Sequence, residues 1–184
     1  MREAWTINDK LAVASGIPGW SEDAPPRRDI FGNPRKYASG WILGTMSPMP
    51  DSKESKDPVL LELVAVMQAT RQVPVAMPGK SIDGMRLNAK EYDDLVRLSR
   101  TSPIFDGGES TFREKIEDMM DSDVYLEATP FGRAELLKNL QFTADRIVTS
   151  QGGLLEQENP DFAERISIYR AKRARLRFGE DFQE

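Results

Sequence analysis

Apolar residues follow two different patterns along the chain, and the change falls near residue 57. From Gly19 to Pro50, prolines at 25, 26, 34, 48 and 50 and glycines at 32, 40 and 44 interrupt every run. Each proline removes a backbone donor and restricts the residue before it, so long helices and well-paired strands are both excluded there. The same stretch still carries Trp20, Ile30, Phe31, Tyr37, Trp41, Ile42, Leu43 and Met46. A disordered linker seldom holds so many large apolar groups. It reads as an extended arm that docks either on the chain's own helices or on a neighbouring subunit. Upstream, Ile7 to Ser15 predicts a short helix ended by Gly16 and Pro18.

Beyond Asp57 the spacing becomes helical. Asp57-Pro58 supplies an N-cap and a proline at the first helical position, and Leu60, Leu63, Val64 and Met67 then predict one apolar face. A loop of Pro74, Pro78, Gly79 and Gly84 follows. Asn88 and Glu91 form a capping box before Tyr92, Leu95 and Val96. Ser102-Pro103 closes that helix, and Gly107-Gly108 marks a turn. A helix over Thr111–Met120 is expected to bury Phe112, Ile116, Met119 and Met120, with Asp121 or Ser122 capping a short turn to Tyr125 and Leu126. The longest helix is predicted from Phe131 to Ser150, with Leu137, Leu140, Ala144, Ile147 and Val148 on one side, and Gln151-Gly152-Gly153 stops it. Asn159-Pro160 opens a last helix carrying Phe162, Ile166, Tyr169, Arg173 and Leu176. No sustained strand alternation and no internal repeat occur. The expected fold is mainly α: an arm over 1–56, a small helical bundle over 57–178 and a tail over 179–184.

Composition narrows the chemistry. The 184 residues include no cysteine and no histidine. Disulfides, thiolate nucleophiles, cysteine-ligated zinc and every histidine-dependent triad are thereby excluded from this chain alone. Carboxylate chemistry, a lysine nucleophile and oxygen-ligated calcium or magnesium remain. No run of eighteen apolar residues occurs, and the first residues lack the apolar stretch of a signal peptide, so a soluble, non-secreted chain is expected.

Three motifs invite a functional reading and are weak. Met77-Pro78-Gly79-Lys80-Ser81 ends like a phosphate-binding loop, but Pro74 stands where that motif needs glycine. Asp51 to Glu62 has the length of a calcium loop, yet Lys53 and Lys56 oppose a divalent ion. Asp121-Ser122-Asp123, near Glu117 and Asp118, is explained by helix capping. The sequence therefore points to no cofactor, metal or small-molecule substrate.

Charge is unevenly spread around a net −5. Glu117, Asp118, Asp121, Asp123 and Glu127 form a run without a base; Arg165, Arg170, Lys172, Arg173, Arg175 and Arg177 form one without an acid. Such asymmetry points to partner surfaces or head-to-tail contact between copies, or, more plainly, to solvated helix faces. The basic run is the stronger candidate, with Arg165, Lys172 and Arg175 turned away from Phe162, Ile166 and Tyr169. It suits phosphates of nucleic acid, or an acidic protein surface.

Three blocks in order carry a resemblance: Ala24-Pro25-Pro26-Arg27-Arg28-Asp29-Ile30-Phe31-Gly32-Asn33-Pro34; Lys56-Asp57-Pro58-Val59 with Glu62-Leu63; and Met77-Pro78-Gly79-Lys80-Ser81-Ile82-Asp83-Gly84-Met85-Arg86-Leu87-Asn88-Ala89-Lys90-Glu91-Tyr92. Together they resemble the large polyvalent protein-associated domains of very large phage and prophage proteins, among them internal virion proteins that travel with the genome during ejection. The resemblance spans residues 20 to 178. Family members usually form the end of a longer polypeptide, whereas this chain starts at Met1, which leaves a free-standing product and a separated segment both open. The family offers no catalytic residue to carry over. The resemblance implies a non-enzymatic virion structural protein of the internal core, portal or ejection apparatus, assembled in the bacterial cytoplasm. Its implied partners are other virion proteins, copies of itself and packaged DNA. Trp20, Phe31, Trp41 and Tyr92 are the expected anchors at subunit contacts, because large aromatics supply most burial energy per residue. The alternatives are a nucleic-acid-associated module using the basic helix, and a carboxylate-dependent hydrolase.

Overall fold

The computed structural model describes residues 28–34 and 56–178; the predicted helix at Ile7–Ser15, Trp20, Trp41 and the 179–184 tail lie outside them. Seven helices form among the described residues: α1 Pro58–Thr70, α2 Ala89–Thr101, α3 Phe112–Met120, α4 Asp123–Glu127, α5 Pro130–Thr149, α6 Leu154–Glu158 and α7 Pro160–Phe178. A two-stranded hairpin, β1 Ser81–Ile82 and β2 Met85–Arg86, precedes α2. The mainly helical reading holds.

Most helix starts are where the sequence places them, and for the stated reasons. The Asp57 carboxylate accepts from the Val59 amide. Asn88 and Glu91 close a reciprocal capping box, and Thr111 and Glu114 close a second one. Ser122, rather than Asp121, caps α4; Asp121 ends α3. Thr129 caps α5, one residue earlier than expected. Two elements escaped the sequence reading. The hairpin turns on Asp83 and Gly84, with φ of 55° and 93°, the left-handed pair that an Asp-Gly dipeptide favours. Helix α6 is five residues long, too short for periodicity to reveal, but it buries Leu155 completely.

The interior divides into two apolar clusters. The first joins Phe31, α1, α3, α4 and α5 from Ala134 to Ala144, around Leu63, Phe112, Ile116, Tyr125 and Leu137. The second joins the hairpin, α2, α6 and α7 to Val148 at the end of α5, around Leu87, Leu95, Leu155, Phe162 and Ile166. Helix α5 thus runs past both, and Ile104 packs against each.

Three predicted faces need correction. Helix α1 buries Val59, Leu63, Val66 and Thr70, leaving Val64 and Met67 outward. Because Pro58–Thr70 is apolar on nearly every side, spacing alone could not choose the buried one. Paired hydrogen bonds of 2.8 Å from Arg113 to Asp57 help to set the rotation. On α5, Leu137, Ala144 and Val148 are buried and Ile147 is exposed. On α7, Phe162 and Ile166 are buried, whereas Leu176 lies 81% exposed beyond the last packed turn.

Residues 28–34 dock on the chain's own helices. Arg28 grips Asp93 of α2 through two bonds of 2.6 and 2.7 Å and donates to the Gly32 carbonyl. Phe31 enters the first cluster, and the Arg113 guanidinium stacks over its ring. Of the four aromatic residues expected at subunit contacts, Phe31 and Tyr92 are each 5% exposed within this chain's own core. They are therefore unavailable to a neighbour. Their size fits them for burial anywhere, and the nearest apolar surface is intramolecular.

Candidate functional site

Helix α7 carries the six basic residues singled out by the sequence, and the fold divides them. Arg165 pairs with Glu91, the carboxylate that also closes the α2 capping box through the Asn88 amide at 2.8 Å. Arg170 reaches Asp83 at 2.8 Å and Glu156 at 2.6 Å. Burial disfavours its charge, and the two carboxylates more than offset that, holding its pKa above the ordinary guanidinium value. Arg173 donates to the Asp83 carbonyl. The hairpin turn and α6 thus clasp the middle of α7, and Tyr169 packs at Gly84, where an added Cβ would lie 3.1 Å from its hydroxyl.

Arg165, Arg170 and Arg173 therefore hold α7 to its own molecule, and the nucleic-acid surface expected of all six is reduced accordingly. The arginines find acids close at hand, on the hairpin, α2 and α6. Lys172 and Arg175 are exposed, and Ile168 beside them is 60% exposed. At helical spacing, Ile168, Lys172, Arg175 and Leu176 share one outward face.

The acidic run lies at the other end of α5. Glu117, Asp118, Asp121, Asp123 and Glu127 are all exposed around the α3–α4 corner. So are three large apolar residues there: Val124 at 68%, Leu126 at 57% and Phe131 at 58%. The corner is well fixed. Arg133 donates to the carbonyls of Tyr125, Leu126 and Ala128 and pairs with Glu62 of α1 at 3.1 Å. Tyr125 is buried against Glu62, and burial first, then that carboxylate, pushes its phenol pKa well up.

The outward side of α1 is the least expected feature. Leu61, Val64, Ala65, Met67, Gln68 and Ala69 are exposed there and carry no charge. Outward faces of surface helices are ordinarily charged, as α5 shows with the exposed Glu135, Lys138 and Arg146. The run Pro58–Thr70, with Glu62 its one charged residue, holds the signal that would have found this face.

The weaker motifs resolve into structure. The Pro78 carbonyl accepts from the Tyr92 hydroxyl at 3.2 Å, and Lys80 lies over the Tyr92 ring. Among the described residues no three carboxylates converge as a metal site would require. No helix among them is long and apolar enough to cross a membrane. Compared with family models, curated proteins and solved structures, the chain matches none.

Proposed function

We propose that this protein is a non-enzymatic structural component of a bacteriophage particle, associated with the internal core, portal or ejection apparatus, and that it works by packing against other proteins. The observation that carries the packing role is the charge-free outward side of α1, where Leu61 and Val64 stand 54% and 43% exposed. Contiguous exposed apolar surface costs solubility and marks interaction sites in folded proteins. The exposed apolar corner at α4–α5 supports the same reading. The phage setting rests on the ordered sequence blocks from Ala24 to Tyr92. Mass spectrometry of purified virions should recover the protein among the particle components; its absence from mature particles would end the proposal.

A second reading, contact with packaged nucleic acid, draws on Lys172 and Arg175. It is narrower than the sequence suggested, because Arg165, Arg170 and Arg173 are already engaged within the chain.

A further inference from the structure

Two exposed surfaces sit at opposite ends of α5 and complement each other in both charge and apolar content. One is the outward face of α7, where Lys172 and Arg175 stand between Ile168 and Leu176, 60% and 81% exposed. The other is the α3–α5 corner, where Asp121, Asp123 and Glu127 surround Val124, Leu126 and Phe131, each more than half exposed. Helix α5 starts at this corner with Pro130 and ends at Thr149, whose carbonyl accepts from Arg170 of α7. Its 20 residues span about 30 Å at 1.5 Å per residue, so the Arg170 contact at Thr149 stands about that far from the start of the helix. Both surfaces are exposed, so they do not cover each other within one molecule.

We propose that the α7 face of one copy docks on the α3–α5 corner of a second copy, making a head-to-tail contact. The inference rests on the packing role proposed above and names the partner. Apolar side chains on both surfaces supply burial, while cations opposite carboxylates fix orientation and penalise like-to-like docking. Arg133 holds the corner, and the Asp83–Arg170–Glu156 clasp holds α7, so neither surface needs to be ordered at the moment of contact. Because the two surfaces differ, the contact is heterologous: the docked pair retains one free surface of each kind, and association continues until a ring closes or a filament grows.

The test uses two charge-reversed versions of the full chain, one with Lys172→Glu and Arg175→Glu, the other with Asp121→Lys and Asp123→Lys. All four positions are exposed, and circular dichroism verifies that each version is folded. Light scattering coupled to gel filtration should show the parent chain associating with concentration, and less so at high salt. Each variant alone should be monomeric. Mixed, they should associate again, because each acidic surface of one version then meets a basic surface of the other. A parent chain that stays monomeric at low salt overturns the proposal, as does association that both reversals leave intact or a mixture that remains monomeric. If the parent stays monomeric yet binds duplex DNA, and the α7 variant does not, the nucleic-acid reading replaces it. A monomeric chain recovered from purified virions would sink the head-to-tail contact while leaving the structural role standing.

Discussion

Arg100 on α2 is the largest fully buried side chain among the described residues. Its guanidinium lies 4.4 Å from the Phe112 ring centre, pairs with Asp145 of α5 at 2.9 Å and reaches the Ala76 carbonyl at 3.4 Å. Burial pulls its pKa down, against the pull of Asp145, and among the described residues its Nε has no acceptor. The charge is thus incompletely compensated. Arg100→Ala should cost about 3 kcal/mol or more, from lost packing and an abandoned Asp145. Arg100→Met, which keeps the volume without the desolvated charge, should cost clearly less. Urea unfolding of both checks the order. Asp57 gives a pH-dependent counterpart. Arg113, hydrogen-bonded to it, holds its pKa below the ordinary carboxylate value. The pair stabilises the fold above the unfolded-state value near 3.9, and that stability disappears as pH falls through the lower folded value. Asp57→Asn keeps the capping oxygen and removes the charge. It should cost about 0.5–1 kcal/mol at neutral pH, the Arg113 side chain being partly exposed, and nothing near pH 2. A pH series of unfolding curves reads this directly. Neither Arg100 nor its partner is marked in the sequence, because an arginine within an amphipathic helix ordinarily points to solvent.

At the scale of elements, the caps were legible and the rotations were not. Asp57, Asn88 and Ser122 stand at helix starts because a short side-chain oxygen beside a free amide is a local event, recorded in adjacent residues. Which side of a helix turns inward depends on distant partners. Helix α1 shows this, since its apolar residues surround the axis. The loop 28–34 shows it again: Phe31 was readable as an anchor, and its host was not. Gly32 is the residue on which that docking depends. Its φ is +81°, and an added Cβ would lie 2.8 Å from Arg100 Cβ and 3.0 Å from Thr101 Cγ2. Gly32→Ala should therefore cost about 2 kcal/mol or more, from overpacking against fixed helix atoms together with the left-handed backbone. The expected signature is lost amide protection in residues 28–34 and at the start of α3, measured by hydrogen exchange.

For the whole molecule, charge asymmetry was visible in the sequence, while its division between internal and external use was not. Arg170 and Lys172 look alike in a basic run. The Asp83 carboxylate of the hairpin turn and Glu156 of α6 separate the arginine that fastens the helix from the lysine that faces outward. The placement of the two surfaces is equally a product of the fold, since α5 starts at the corner and meets Arg170 of α7 at its end.

That same helix has a calorimetric consequence. With Leu137 in one cluster, Val148 in the other and Ile104 touching both, neither half can melt without uncovering its neighbour. Heating should give one absorption peak whose van't Hoff and calorimetric enthalpies agree. Replacing Ile104 by glycine should begin to pull that peak apart.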